Sequence, residues 1–222
     1  MRHHRAASSF AQTADLYERA RPGYAPAAVA YLVERLGLGP GRTVLDLGAG
    51  TGKLSRALVA SGARVIAVEP LAEMRALVPP GIETLAGTAE KIPLPDAAVD
   101  AVTVAQAFHW FDEETAAAEI RRVLRPGGLL ALVSNRRNDS DPTTRAFGEI
   151  LARRRAHPSL EPPPSGEQFA HIHSVASFAD LAATESSIAS LEDGERREAL
   201  AEFAALGGGD LHYTTYVSIA PH

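Results

Sequence analysis

The sequence predicts an α/β fold with a doubly wound, mostly parallel sheet. Three observations lead to this class. Short apolar runs suited to buried strands alternate with segments of helical periodicity through the first two thirds of the chain. A glycine-dense turn, residues 48–52, joins the first such strand to a helix. An acidic residue, Glu69, ends the second strand, about twenty residues after that turn.

The composition limits which kinds of protein this chain can be. It has 222 residues, 45% hydrophobic and 22% charged, as expected of one large globular domain. The net charge of −5 argues against a nucleic-acid partner, which usually meets a basic face. With no cysteine, disulfides, thiolate metal sites and cysteine nucleophiles are excluded. No apolar run is long enough to span a membrane, and no signal-type stretch follows Met1, so we expect a cytoplasmic protein without a membrane partner.

The glycine turn is the strongest candidate for a ligand site. Gly48, Gly50 and Gly52 alternate with other residues, so the backbone can turn sharply and approach a ligand closely. The N–H groups of the following helix start would face that ligand. The spacing differs from both the dinucleotide G-x-G-x-x-G motif and the phosphate loop. Asp46 would repel a pyrophosphate but attract a cationic or zwitterionic ligand, and a tight turn without any ligand remains an alternative.

Periodicity and turn residues predict the elements in order. The expected strands are residues 44–47, 63–68, 82–86, 99–105, 129–134, 169–175 and 211–219. The expected helices are residues 13–19, 27–36, 51–61, 71–78, 113–124, 143–157, 179–183 and 194–206. Residues 1–12 show no periodicity and are predicted to be loose, and the proline-rich residues 158–166 mark a boundary or flexible connection.

Several motifs occur in the order known from one family. The sequence V-L-D-L-G-A-G-T-G-K-L at the glycine turn resembles the first motif of class I S-adenosylmethionine-dependent methyltransferases. The later G-T-A-E-K-I-P-L-P-D, A-F-H-W-F-D and L-R-P-G-G-L-L-A-L stretches look like small-molecule methyltransferases of the type 11 group, including relatives of trans-aconitate methyltransferase. The resemblance implies S-adenosyl-L-methionine as cofactor and S-adenosyl-L-homocysteine as product.

The resemblance also implies a domain organisation. It predicts a single Rossmann-like methyltransferase domain with a seven-stranded, mostly parallel sheet and an antiparallel C-terminal edge strand. Residues 1–40 would form an N-terminal helical cap, residues 41–135 the cofactor-binding core, and residues 136–222 a C-terminal substrate-side region.

Carried onto this chain, the family pattern predicts a set of cofactor-binding residues. Glu69 would accept hydrogen bonds from both ribose hydroxyls, and Met74 would lie against the adenine ring. Many members have aspartate where this chain has Thr88, whose hydroxyl can still accept one hydrogen bond from the adenine amino group. Tyr17 or Arg21 would reach the methionine carboxylate, although an ordinary surface helix explains that segment equally well. The full predicted set is Tyr17, Arg21, Asp46, Gly48, Ala49, Gly50, Glu69, Pro70, Met74, Thr88, Ala89, Glu90, Ala105 and Gln106.

The substrate side is expected just past the fourth strand, where open α/β sheets collect their reacting groups. His109 is the candidate general base or substrate hydrogen bonder. The predicted substrate-contacting residues are Tyr24, Phe108, His109 and Trp110. The alternative is that the aromatic residues anchor the core and His109 is a satisfied neighbour.

The late histidines raise the question of a metal site. His171 and His173 share a face of a predicted strand, and His212 could lie opposite. Three imidazoles could bind zinc, but exposed strand histidines without an acidic neighbour are far commoner, so we predict no metal.

The predicted function is methyl transfer to an oxygen, nitrogen or carbon atom of a small molecule by a monomer or homodimer. Nucleic-acid methylation is disfavoured, because an N-P-P-Y type of motif is absent after the fourth strand and the cysteine-dependent route is impossible. An NAD-dependent dehydrogenase is disfavoured by the glycine spacing and by Asp46. A cofactor-binding regulatory module or pseudoenzyme remains the alternative.

Overall fold

The computed structural model describes residues 14–154 and 165–221. The predicted loose start at residues 1–12 and most of the predicted proline-rich connection lie outside the described residues. The strands are β1 (Thr43–Leu47), β2 (Arg64–Val68), β3 (Glu83–Leu85), β4 (Val99–Ala105), β5 (Leu124–Arg137), β6 (Glu167–Val175) and β7 (Gly209–Pro221). The helices are α1 (Ala14–Ala20), α2 (Pro26–Arg35), α3 (Lys53–Val59), α4 (Ala72–Arg75), α5 (Glu113–Val123), α6 (Pro142–Arg154), α7 (Phe178–Ala183), α8 (Ser186–Ala189) and α9 (Asp193–Leu206), with a 3₁₀ turn at Phe108–Trp110.

The strands form one seven-stranded sheet in the order β3-β2-β1-β4-β5-β7-β6. Pairing is parallel from β3 through β5, and antiparallel strands make the sheet mixed toward the β7-β6 edge. The predicted fold class is therefore confirmed. Since β7 lies between β5 and β6, the edge of this late pair is formed by β6.

The chain divides into two compact units. Among the described residues, the larger unit contains residues 24–135, 165–169 and 215–221, and the smaller unit contains residues 14–23, 136–154 and 170–214. The sequence-based expectation of a single domain with boundaries at residues 40 and 135 stays a prediction.

The larger unit has an apolar layer on each face of its strands. In β1 the side chain of Val44 joins one layer with Leu32 of α2 and Leu58 of α3. Leu45 joins the other layer, which α5 covers from the opposite side. Alternate residues of a strand point to opposite faces, and all five residues of β1 are buried, so both of its faces need mostly apolar side chains.

The smaller unit has its own core, centred on three fully buried phenylalanines. The ring of Phe147 in α6 lies 5.7 Å from that of Phe178 in α7 and 4.7 Å from that of Phe203 in α9. These tilted and edge-to-face ring contacts stabilise the core beyond what the burial of apolar area contributes. They hold the three helices together.

Two predicted elements differ from the structure, and two short elements were not predicted. The helix expected at residues 71–78 is only α4, because the bonds from Leu77 and Val78 reach back three residues and prolines follow at once. The strand expected at residues 129–134 is longer, because it begins at Leu124 and continues through a bulge between the pairings of Leu124 and Leu129 with β4. The short helix α8 and the 3₁₀ turn were not predicted. Within the described ranges, no helix combines the length and apolar character needed to cross a bilayer.

Candidate functional site

The glycine turn between β1 and α3 is fastened to the end of β2. The N–H groups of Gly48 and Ala49 both donate to the carbonyl oxygen of Val68, at 2.9 and 3.1 Å. Gly48, Gly50 and Gly52 all have positive φ, of 71°, 57° and 79°. A Cβ on Gly48 would come within 2.7 Å of the Cβ of Ala107, whereas a Cβ on Gly50 would meet no atom within 4 Å. The turn therefore packs tightly beneath Gly48 and is open at Gly50.

Asp46 lies beneath this turn instead of lining it. Its side chain is 1% exposed. One carboxylate oxygen accepts from the hydroxyl of Ser55 at 2.5 Å and the other from the hydroxyl of Thr103 at 3.2 Å. Burial raises the pKa of this carboxyl to about 6, despite the hydrogen bonds that lower it. This geometry does not support the predicted direct contact of Asp46 with a ligand. Its carboxylate instead connects β1 to the first turn of α3 through Ser55.

Glu69 stands at the tip of β2 with its carboxylate turned toward the glycine turn. Oε2 accepts from the N–H of Gly50 at 2.9 Å, and Oε1 accepts from the N–H of Leu71 at 3.0 Å. Burial raises the pKa of Glu69. Each carboxylate oxygen can accept a second hydrogen bond, so the group is held in place and can still accept two hydroxyl donors. The guanidinium of Arg75 donates to the carbonyl oxygens of Glu69 and Pro70, which fixes the backbone there.

Thr51 adds a polar group that the sequence interpretation missed. Its hydroxyl oxygen is buried without a hydrogen-bond partner, and the residue is 1% exposed. A buried hydroxyl without a hydrogen-bond partner lowers the stability of the folded state, and such groups are rare in folded proteins. A signal for it was available, since Thr51 stands between two glycines of the turn. The open side at Gly50 and the oriented carboxylate of Glu69 make the turn fit a polar, hydroxyl-bearing ligand such as the ribose of S-adenosylmethionine.

The residues predicted to hold an adenine ring differ in how accessible they are. Thr88 is exposed and bridges to Lys91. Ala89 and Met74 are 4% and 5% exposed, so little of either side chain is open to a ligand. Glu90 accepts a hydrogen bond from the N–H of Asp112 at 3.0 Å. Their contacts with a cofactor stay predictions.

The end of β4 is held in an unusual backbone conformation. Gln106 follows the half-buried Ala105 and has a φ of 57°, which a residue other than glycine rarely adopts. Its backbone N–H donates to the carbonyl of Val133 and its side-chain amide to the carbonyl of Asn135, at 2.9 and 3.1 Å. Such strain persists where the surroundings enforce it, often at functional sites.

A buried chain of hydrogen bonds supports this tip from behind. The side-chain oxygen of Asn135 accepts from the hydroxyl of Thr215 at 2.7 Å, and Thr215 in turn accepts from the N–H of Ala25 at 3.2 Å. Sequence reasoning missed Asn135 and Thr215, and no local signal could have found them, because they lie eighty residues apart along the chain.

The aromatic residues after β4, residues 108–111, lie in two different environments. Phe108 and Phe111 pack against the apolar layer covered by α5, with ring centroids 6.0 Å apart, and Phe111 lies beside Gly48. His109 is exposed, and its ring centroid lies 4.8 Å from that of Trp110. The core-anchor interpretation therefore describes the two phenylalanines, while His109 and Trp110 remain candidates for contact with a substrate. Tyr24 is half-buried beside the apolar layer of α2 and α3.

The remaining predicted contacts belong to the smaller unit. The guanidinium of Arg21 donates to the hydroxyl and carbonyl oxygens of Thr184 and pairs with Glu185 at 3.3 Å. Its Cζ lies 5.3 Å from the ring centroid of Tyr17. In this arrangement Arg21 is engaged by protein groups, and the predicted contact of Arg21 or Tyr17 with a methionine carboxylate stays a prediction.

The late histidines have separate surroundings. Nε2 of His173 lies 3.0 Å from the carbonyl oxygen of Ala20, the ring of His171 stacks on Tyr213 at 5.7 Å, and His212 lies 4.0 Å from Asp141. The described part of the chain brings together no group of three side chains able to hold a metal ion.

Comparison with known proteins defines the class of this fold and site. Residues 45–132 match the model of a family described as a methyltransferase domain. That stretch contains the glycine turn, Glu69 and the tip of β4. Over these residues the chain is similar to a methyltransferase domain, and its fold is similar to that of a solved methyltransferase structure.

Relatives and solved structures agree with this class. The chain is 50% identical over 149 residues to an uncharacterised methyltransferase of Mycobacterium tuberculosis (strain H37Rv), an alignment covering 65% of this chain and 59% of that relative. It is 37% identical over 117 residues to a demethylmenaquinone methyltransferase of Mycobacterium sp. (strain KMS), covering 52% of this chain and 49% of the relative. A solved structure described as a type II methyltransferase from Anaeromyxobacter dehalogenans superposes with a TM-score of 0.67 at 26% identity, over 90% of this chain and 97% of that one. The chain thus spans less than two thirds of the length of the curated relatives. The particular likeness to trans-aconitate methyltransferases stays a prediction.

Proposed function

We propose that this chain transfers a methyl group from S-adenosyl-L-methionine to a small-molecule acceptor and releases S-adenosyl-L-homocysteine. The observation that carries the proposal is the carboxylate of Glu69, which is oriented by two backbone N–H groups and retains the capacity to accept two hydroxyls. A carboxylate so placed beside an open glycine turn suits a ribose. The proposal includes a cytoplasmic protein with no nucleic-acid partner.

When bound, the cofactor would supply a methyl group on a cationic sulfur; a nucleophilic atom of the acceptor could take this methyl group in line, with the neutral thioether of S-adenosylhomocysteine as the leaving group. The chain's own contribution is to bind, orient and exclude water, which accounts for most of the barrier reduction in such a step. The tight packing of Gly48 on Ala107 and the enforced conformation of Gln106 keep the tips of β1 and β4 rigid. Rigid strand tips hold reacting groups in position better than loose loops do.

His109 is the proposed general base or hydrogen-bonding group for the acceptor. It is exposed and lies three residues past the strained Gln106 at the tip of β4. A base is needed only when the acceptor atom carries a proton of high pKa; a carboxylate acceptor would need none. Oxygen, nitrogen and carbon acceptors therefore remain candidates.

Calorimetric titration tests the cofactor assignment. We expect S-adenosylmethionine to bind and NAD⁺ not to bind. Glu69→Gln should weaken the cofactor at least about tenfold, since one acceptor oxygen becomes a donor, and tenfold corresponds to about 1.4 kcal/mol. Glu83→Gln on β3 is the matched control, because that carboxylate pairs with Arg64 on the surface, and it should bind normally. Binding of NAD⁺ in place of S-adenosylmethionine would overturn the proposal.

A methyl-transfer assay tests the reaction. Wild-type protein and His109→Ala would be incubated with labelled cofactor and a panel of carboxylic acids, amines, phenols and quinones, the last because one relative is named for a quinone-type acceptor. We expect at least one acceptor to be methylated. For an acceptor that must lose a proton, we expect turnover to fall about 10²-fold or more in the variant while cofactor affinity is kept. Unchanged turnover on such an acceptor would remove His109 from the mechanism, and cofactor binding without any transfer would favour a regulatory module.

A further inference from the structure

A chain of hydrogen bonds links four segments of the larger unit. The N–H of Ala25, at the start of α2, donates to the hydroxyl oxygen of Thr215 in β7 at 3.2 Å. That hydroxyl donates to Oδ1 of Asn135 in β5 at 2.7 Å. The side-chain amide of Gln106, at the tip of β4, donates to the backbone carbonyl oxygen of Asn135 at 3.1 Å. One buried hydroxyl therefore connects the start of a helix with the tip of a strand.

The start of α2 depends on this hydroxyl. Ala25 is the N-cap residue of α2, and its side chain makes no capping hydrogen bond. In a capping box the N–H of the N-cap residue is bound by a side chain of the same helix, whereas here the acceptor belongs to β7. Ala25 and Thr215 are 1% and 0% exposed, so without the hydroxyl this N–H would be buried without its acceptor. Tyr24, which is predicted to contact the substrate, directly precedes Ala25.

The tip of β4 depends on the other end of the chain of bonds. Gln106 has a φ of 57°, and such a strained conformation persists only where its surroundings enforce it. Its backbone N–H donates to the carbonyl oxygen of Val133 at 2.9 Å, and its side chain donates to Asn135. The dihedral angles of Gln106 set the direction in which the backbone leaves β4. These two bonds therefore fix the position of the 3₁₀ turn at Phe108–Trp110.

Two segments that are predicted to contact the acceptor thus adjoin the two ends of the same chain of bonds. Tyr24 adjoins Ala25, and the exposed His109 lies three residues past Gln106. In-line transfer tolerates little error in the position of the acceptor, because a misplacement of about 1 Å can cost about 10²-fold in rate. The glycine turn and Glu69 are held by other bonds, at the tips of β1 and β2. Breaking the chain of bonds should therefore affect the acceptor more than the cofactor.

We propose that Asn135 and Thr215 are positioning residues for the methyl acceptor, because they hold the start of α2 and the tip of β4 in place. The inference rests on the proposed methyl transfer and assigns these two residues a part in it. Neither residue touches the acceptor; they act through Tyr24 and His109. Thr215→Val keeps the branched shape of the side chain and removes the hydroxyl, and Thr215→Ser restores it. Ser218→Ala is the matched control, because it removes a hydroxyl from the opposite face of β7.

Fluorescence measures the tip of β4 without any acceptor. Trp110 is the only tryptophan in the sequence, so the emission comes from the 3₁₀ turn itself. We expect the fast rotation of its indole, measured by time-resolved anisotropy, to increase in amplitude about twofold or more in Thr215→Val, since the tip is no longer held. Thr215→Ser and Ser218→Ala should match wild type. An unchanged amplitude in folded Thr215→Val would overturn the proposal.

Kinetics test the positioning role. For an acceptor that wild type methylates, turnover at saturating substrates should fall about tenfold or more in Thr215→Val, while the dissociation constant of S-adenosylhomocysteine changes by less than about threefold. Thr215→Ser should restore turnover to within about threefold of wild type. A purely structural role predicts a lower melting temperature with unchanged turnover of the folded protein, and that result, measured well below the melting temperature, would overturn the proposal. An equal loss of cofactor affinity would assign the chain of bonds to the cofactor and would also overturn it.

A double-mutant cycle tests whether the two residues act as one unit. Asn135→Ala breaks the same link from β5, so each single change should lower turnover, and the double variant should lose no more than the more impaired single variant. Losses that add would overturn the proposal. Should Thr215→Val unfold the protein, Asn135→Ala replaces it in the fluorescence and kinetic measurements. If wild type methylates no acceptor, the proposed function fails, whereas the fluorescence of Trp110 still tests whether the chain of bonds holds the tip.

Discussion

Asp46 lies beneath the proposed ligand site and does not line it. Its carboxyl group is buried under the glycine turn and held by the hydroxyls of Ser55 and Thr103, from the next helix and the neighbouring strand. Two hydroxyl donors compensate the burial of the ionised form only in part, so the pKa is raised to about 6. Asp46 therefore supports the conformation of the turn, but its burial lowers the free energy of unfolding by an amount that depends on pH.

We predict that Asp46→Asn changes how stability depends on pH. A folded pKa of about 6, above the ordinary 3.8, means that the folded state binds more protons between these values, so this group lowers stability as the pH rises from about 4 to 6. Asparagine does not ionise, so the variant should gain stability relative to wild type over that range, by up to about 3 kcal/mol for two pKa units. Urea unfolding of both proteins at pH 4, 5, 6 and 7 measures the difference. A difference that is constant with pH would contradict the raised pKa.

At the scale of elements, one arginine of α5 fastens the proline-containing connection that precedes β4. Arg122 donates to the carbonyl oxygens of Ile92 and Leu94, at 3.0 and 2.7 Å, and to the carboxylate of Asp96 at 3.0 Å. It also forms a bidentate pair with Glu119, which accepts from the N–H of Ile92. The segment follows Glu90 of the predicted adenine side, so α5 holds in place a loop that borders the site.

Arg122→Ala should lower the free energy of unfolding by about 1–3 kcal/mol, because it removes charged hydrogen bonds to several partners at once. The neighbouring exposed Arg121 provides the control, and Arg121→Ala on the same helix should cost less than about 0.5 kcal/mol. Hydrogen bonding to Arg122 lowers the pKa of Glu119 to about 2. The stabilisation by this pair is thus complete above pH 4.5 and lost as the pH falls toward 2, so the effect of Arg122→Ala should shrink in acid. Chemical denaturation at pH 7 and pH 3 checks both statements; equal costs for the two alanine variants would refute the role of Arg122.

At the scale of the molecule, the parallel strands bring the functional groups of the larger unit to one edge of the sheet. The glycine turn follows β1, Glu69 follows β2, and Gln106 and His109 follow β4, and these three strands are neighbours. The carboxyl ends of neighbouring parallel strands meet at the same edge, which is where open α/β sheets bind their ligands. A ligand bound there contacts only the folded state and should stabilise it.

We predict that S-adenosylhomocysteine raises the melting temperature of the chain and that NAD⁺ does not. At a hundredfold excess over its dissociation constant, a ligand specific for the folded state adds about 2.7 kcal/mol, which for a chain of this length corresponds to about 5–10 °C. Thermal melts followed by circular dichroism measure the shift. The same melts on Glu69→Gln should show a smaller shift at equal ligand concentration. An unchanged melting temperature at saturating S-adenosylhomocysteine would contradict the cofactor site.

The sequence alone determined the fold class, the order of the strands along the chain and the glycine turn with Glu69. All of these follow from local patterns in the sequence: the apolar runs, the glycines and prolines that end them, and the short spacing between the glycine turn and Glu69. Only the tertiary structure decided that Asp46 is buried beneath the turn, that Asn135 and Thr215 support Gln106, and that Arg21 and Arg137 meet at Glu185. The reason is physical: these contacts join side chains from segments far apart along the chain, and their burial and pKa follow from packing, which no local pattern records.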